Sequence, residues 1–156
     1  MKKKNTTIIG MTVCFLMMTS FAWAIDIPGV PNGTVTDGNL VWLQNANCFG
    51  QQSWYNAKDS AANLKSGSCG LTDGSKAGQW RLPTKAELIN RKGNLSGFVN
   101  VQSSYWSSTE GGIIASPVID FTRPLAFVLW IKKDHRYNDY DSKINHRSVW
   151  PVRSVQ

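Results

Sequence analysis

The amino-acid sequence predicts an α+β domain whose helices are segregated in sequence from its sheet. Three observations carry that prediction. "TVTDGNLVWLQN" (34–45) alternates around an Asp-Gly pair, the strongest short-range hairpin signal. Two segments that follow show helical spacing and helix punctuation. Most of the second half consists of strand-length pieces rich in β-branched and aromatic residues, an order expected for helices packed against an antiparallel sheet.

The first helix is expected from Ser53 onward. Trp54, Ala57, Ala61 and Leu64 recur at three- and four-residue steps, one face of a helix, and Gly67 is the expected stop. "SGSCGLTDGSKAG" (66–78) is a loop rich in turn formers. The second helix opens at "QWRLPTKAEL" (79–88), where Thr84 and Glu87 have the spacing of a capping box. Leu88 and Ile89 supply its expected buried face, Arg91 and Lys92 suit the negative end of the dipole, and Gly93 ends it. "SYWSST" (104–109), "ASPVIDF" (115–121), "AFVLWIK" (126–132) and "SVWPVRSV" (148–155) read as strands, with a polar stretch at 132–146.

The first 24 residues read as a secretory signal. Lys2, Lys3 and Lys4 precede a short apolar run, and Ala22-Trp23-Ala24 has small residues where a signal peptidase reads them. Val13 before Cys14 argues against a lipoprotein. The expected organisation is a signal at 1–24, a Pro/Gly-rich leader at 25–33 and one domain at 34–156, with no membrane span after cleavage. Cleavage would leave 14 Lys and Arg against 10 Asp and Glu, a net charge of +4 instead of the +7 of the whole chain. Export disfavours nucleic acid as a partner. Cys48 and Cys69 remain, and in an exported chain such a pair reads as one disulfide; a metal pair would call for closer spacing and a nearby histidine.

"QWRLPTKAEL" (79–88), "YWSST" (105–109) and "VWPVRS" (149–154), in that order, resemble the Lcl C-terminal domain family, named for a bacterial collagen-like adhesin. "LVWLQNANCFGQQSWYNA" (40–57) and "GSCGLTDGS" (67–75) extend the resemblance, which covers residues 34–154. It implies a C-type-lectin-like fold: two helices on a small, mostly antiparallel twisted sheet, with N- and C-terminal strands paired. The partners it implies are sulfated, glycosaminoglycan-type polysaccharides. The segment 94–104 and the "TRPLAF" piece (122–127) depart from the family pattern, both in loops of the kind that carry ligands.

The best candidate site is the basic stretch 132–153, whose six cations against three aspartates hold +3 of the mature charge. Lys132, Lys133, Arg136, Lys143 and Arg147 are the candidates for capturing sulfate or carboxylate, with Tyr137 or Tyr140 packing on sugar rings. The expected function is therefore an exported, adhesin-like binding module for an anionic polysaccharide. The second reading is a structural or protein-interaction domain of the cell envelope, and an enzyme ranks last. Asn138, Asp139 and Asp141 only faintly suggest calcium. His135 with His146 lacks zinc-ligand spacing, and no nucleophile elbow frames Ser107, Ser108 or Thr109. The sequence thus calls for no metal, no cofactor and no catalytic residue. Trp42, Trp54, Trp80 and Trp106 are expected in the core. Trp130 and Trp150, flanking the basic stretch, are the likelier ligand contacts, though core suits them better still. Arg81 is expected in a structural hydrogen bond or ion pair.

Overall fold

The computed structural model describes residues 32–116, 121–131 and 139–156. The expected signal at 1–24 and all but the last two residues of the expected leader at 25–33 lie outside these residues. Strands β1 (Thr34–Asp37) and β2 (Leu40–Leu43) form the expected hairpin, and β3 (Gln51–Gln52) follows. Helices α1 (Trp54–Asn63) and α2 (Lys85–Lys92) come next, then β4 (Ser104–Ser116), β5 (Phe121–Trp130), β6 (Asp139–Ser142), β7 (Arg147–Ser148) and β8 (Val152–Ser154). The small α+β class is as the sequence predicts, but the strands divide into two sheets, ordered β1-β2-β8 and β3-β7-β4-β5-β6. Among the described residues the strands pair antiparallel except β4 with β7, and an isolated parallel bridge joins Asn45 to Val99. The first strand does not pair with the last as expected: β2 lies between them, with Leu40 opposite Ser154 and Trp42 opposite Val152, so it is the second strand of the N-terminal hairpin that meets β8.

The local chemistry explains most elements. Asp37 pairs with Leu40, so the β1–β2 loop is Gly38-Asn39, and Gly38 takes φ +55° there. Ser53 caps α1 by accepting from the Asn56 N–H at 3.4 Å. The helix stops before Gly67, because Leu64 turns extended (ψ 136°) and drops fully into the core. At α2 the capping box is complete: Thr84 Oγ1 accepts from the Glu87 N–H, and the Glu87 carboxylate accepts from the Thr84 N–H. Its buried face corrects the sequence reading. Ile89 is exposed, whereas Arg91 is buried, paired with Asp37 at 3.2 Å and lying 5.3 Å from the Phe98 ring. "SVWPVRSV" is also not one strand. Ser148 belongs to the five-stranded sheet and Val152 to the other, with Trp150-Pro151 crossing between them.

Tryptophans fill the core as expected. Trp42, Trp54, Trp80, Trp106 and Trp150 are buried, and Trp130 is half-buried. Four indole N–H groups find acceptors, three of them buried: Trp54 on Ser107 O, Trp80 on Ser75 Oγ and Trp150 on Leu43 O, with Trp106 on the partly buried Gln52 O, all at 2.7–2.9 Å. Cys48 and Cys69 are bonded, with Cα atoms 5.7 Å apart, tying the loop after α1 to the segment before β3. Closing a loop of this length contributes about 3 kcal/mol in the chain-entropy description.

Arg81 makes the expected structural pair. Its guanidinium grips both oxygens of Glu87 at 2.8 and 2.7 Å. This grip, and the Thr84 N–H behind it, hold the Glu87 carboxyl below the usual carboxylate range. The sign follows: a depressed folded-state pKa gives stability that is present above the unfolded value and lost as pH falls through the folded one. Thermal melts should therefore show a midpoint that declines in acid. Glu87→Gln should cost about 1 kcal/mol at neutral pH and flatten part of that decline; an unchanged acid profile would remove Glu87 from the account.

Candidate functional site

Four separate segments bring cations and aromatic rings together around Glu110. Glu110 sits on β4 between two register shifts against β5. There the strand bends away from regular pairing and presents the carboxylate to solvent. Lys143, in the turn after β6, reaches it at 2.7 Å and lies 4.0 Å from the Trp54 ring centroid and 5.7 Å from that of Tyr55. Lys58, one turn along α1, stands 4.5 Å over Trp54. Lys85 opens α2, its N–H bound to Thr109 Oγ1, and its ammonium lies 4.7 Å from the Phe127 ring and 5.7 Å from Tyr140. A Cβ on Gly111 would strike the Tyr140 ring, so glycine there permits the close approach of that ring to β4.

Electrostatically, two ammonium groups, Lys143 and Lys58, act on the Glu110 carboxylate, while Lys85 lies beside the Phe127 and Tyr140 rings. The Lys143 hydrogen bond, with a smaller contribution from the Lys58 charge, holds the Glu110 carboxyl below its ordinary range. Lys143 is almost fully buried and spent on this pair and the Trp54 face. Among the described residues, neither Lys58 nor Lys85 is in a salt bridge. Tyr55 and Tyr140 are exposed, at 47% and 40%; Tyr140 borders Lys85, and Tyr55 borders Lys143 and the Trp54 ring over which Lys58 stands.

The sequence-predicted residues fall into three groups. Tyr140 and Lys143 belong to this cluster. Arg147 stands apart, paired with Asp141 at 2.6 Å and 5.0 Å from the Trp130 ring. Lys132, Lys133, Arg136 and Tyr137 lie outside the described residues. Lys58, Lys85 and Tyr55 were missed, because no single stretch of sequence holds them. The other candidates have local roles. Asp141 accepts from Arg147, Asn145 and the Ser142 N–H, Ser107 Oγ accepts from the Thr109 N–H, and Ser108 Oγ donates to Pro83 O. Among the described residues, no group of three or more His, Cys, Asp or Glu side chains is placed to hold a metal ion, and no helix is long and apolar enough to cross a membrane.

The family model of the Lcl C-terminal domain matches residues 33–153. The chain belongs to the Lcl C-terminal domain family. No curated protein and no solved structure is significantly similar to it. The Lcl C-terminal domain match begins just before β1 and ends within β8, so it takes in both sheets, both helices, the disulfide and the Glu110 cluster.

Proposed function

We propose that this domain is an exported, non-catalytic binding module for an anionic polysaccharide, engaged at the cation–aromatic face around Glu110. The observation that carries the reading is the placing of two ammonium groups at aromatic rings: Lys58 over Trp54, whose ring meets the exposed Tyr55 edge-on, and Lys85 beside the exposed Tyr140. Sulfate and carboxylate groups are drawn by ammonium charge, and sugar C–H faces pack on aromatic rings. The disulfide supports an oxidising, extracytoplasmic location. The pairing of β2 with β8 supports a C-type-lectin-like arrangement. The stretch at 132–138 contributes Lys132, Lys133, Arg136 and Tyr137 to the same binding in this reading.

Heparin-affinity chromatography tests it. The mature protein should be retained at low salt and elute as salt rises. Lys58→Gln with Lys85→Gln should elute markedly earlier, as should Lys132→Gln with Lys133→Gln and Arg136→Gln. Passage of the folded wild-type protein through the column at low salt would sink the proposal.

A further inference from the structure

The surface holds a second, chemically different feature: an open cleft of about 580 Å³ between β3, α1 and the disulfide-tied loop. That volume lies within the range of small-molecule sites. We propose that this cleft binds an uncharged, polyhydroxylated ligand, an oligosaccharide segment without sulfate or uronic acid.

Helical geometry separates the cleft from the cationic face. At 100° per residue, α1 buries Trp54, Ala57 and Ala61 on one stripe. Tyr55 and Lys58 fall on one flank of it. Asn56, Asp59, Ser60 and Asn63, spaced i, i+3, i+4 and i+7, fall on the other, and all four line the cleft. No lysine or arginine is among the lining residues, and its one formal charge is the Asp59 carboxylate, which repels anions. The opposite wall adds the amides of Gln51 and Gln52 and the ring of His146, and Phe49 offers a half-buried aromatic surface.

Carboxamides suit hydroxyl groups because each carries both donors and an acceptor, as vicinal hydroxyls do. A carboxylate adds strong acceptors for sugar O–H groups. The wall is also preorganised. Gln52 is held at both ends, its Oε1 accepting from Ser60 Oγ at 2.8 Å and its Nε2 donating to Phe49 O at 3.3 Å. The Cys48–Cys69 bond fixes the loops that bear Phe49 and Ser68, so the walls cannot drift apart. By contrast, the side chains of Gln51, Asn56, Asp59 and His146 have no hydrogen-bond partner among the described residues. They are polar groups on a rigid wall with bonding capacity to spare.

The test is a titration of the isotope-labelled, oxidised mature protein with cellotriose, maltotriose and chitotriose, followed by backbone amide NMR, with a heparin oligosaccharide run in parallel. One of the neutral trisaccharides should shift the amides of residues 51–63 and His146. Asn56→Ala and Asp59→Asn, both at exposed positions of α1, should weaken that binding by about tenfold or more while leaving the fold intact and without lowering heparin retention. Lys58→Gln with Lys85→Gln should do the reverse. The proposal is overturned if none of the three sugars shifts cleft resonances at millimolar concentration. It is equally overturned if the shifts survive both α1 substitutions, or if neutral sugars shift only the Lys85–Tyr140 face. Because the heparin arm is read separately, failure here and failure of the anionic-glycan reading are distinguishable.

Discussion

Trp150→Ala should cost about 3–5 kcal/mol, the range for deleting a large buried aromatic side chain. Trp150 is fully buried at the point where the chain passes from one sheet to the other. Its ring touches three others, with centroids 5.1 Å from Trp42, 4.7 Å from Phe98 and 4.9 Å from Tyr105. These come from β2, the segment after α2 and β4, so one side chain joins parts of both sheets. Its indole N–H also donates to Leu43 O at 2.9 Å, while the Leu43 N–H donates to Pro151 O at 3.1 Å. Alanine removes the ring contacts, opens a cavity and takes a donor from a buried carbonyl. Against an ordinary domain stability of about 5–15 kcal/mol, the melting midpoint should fall by on the order of 10–20 °C. Trp150→Phe keeps part of the ring packing but not the hydrogen bond and should fall between. A midpoint within about 2 °C of wild type for Trp150→Ala would refute the bridging role. The flanking basic stretch marked this tryptophan as a candidate ligand contact, and its full burial makes it core.

How far the fold could be read depended on whether the deciding interactions were local. Thr84 and Glu87 are three residues apart, and Gly38 lies between strands that pair with each other, so their signals stand within a few residues. The errors are non-local. Ile89 was assigned to the buried face by its hydrophobicity, but Asp37, far away in sequence, and Phe98, in the segment after the helix, draw Arg91 inward instead. "DYDS" (139–142) has few strand formers, yet β6 exists because β5 offers it an edge, with Leu125 opposite Ser142 and Val128 opposite Asp139. Ser148 and Val152 are four residues apart but serve different sheets, a division set by β2 and β4 and not by the segment itself.

The candidate sites were legible to a similar degree. Tyr140 and Lys143 stood out because they lie in a basic, aromatic run. Lys58 and Lys85 did not, since each is an ordinary helix-surface lysine until β4 brings Glu110 within reach of the Lys58 charge and β6 sets Tyr140 beside Lys85. The polar stripe Asn56, Asp59, Ser60 and Asn63 was present in the sequence at helical spacing. Read alone, it is a solvated face; only Gln52, Phe49 and His146 opposite it make a cleft.

Asp73→Ala should be as damaging as the loss of Trp150, because it breaks a buried ion pair from one side only. Asp73 and Arg153 meet at 3.0 Å with side-chain exposures of 2% and 14%. The second Asp73 oxygen accepts from the Ser75 N–H and hydroxyl, at 3.1 and 2.7 Å. Ser75 Oγ in turn accepts from the Trp80 indole at 2.9 Å, and the Arg153 guanidinium lies 5.3 Å from the Trp80 ring. The four residues thus form a closed ring that ties the post-helix loop to β8. Removing Asp73 strips the counter-charge from a guanidinium that is only 14% exposed and packed on Trp80, a change that costs about 3 kcal/mol or more when such a cation is left unpaired. Asp73→Asn keeps an acceptor for Ser75 but not the charge, and should cost less. If the penalty comes from the stranded guanidinium, adding Arg153→Met should restore much of the stability lost in Asp73→Asn, giving a double-mutant coupling above about 1 kcal/mol. Strictly additive losses in urea unfolding would mean that the two charges do not depend on each other. The same logic bears on function. Arg153 contributes to the positive charge of the 132–153 stretch, but Asp73 and Trp80 hold it inside the fold, so its neutralisation should lower stability and leave the salt dependence of heparin retention unchanged.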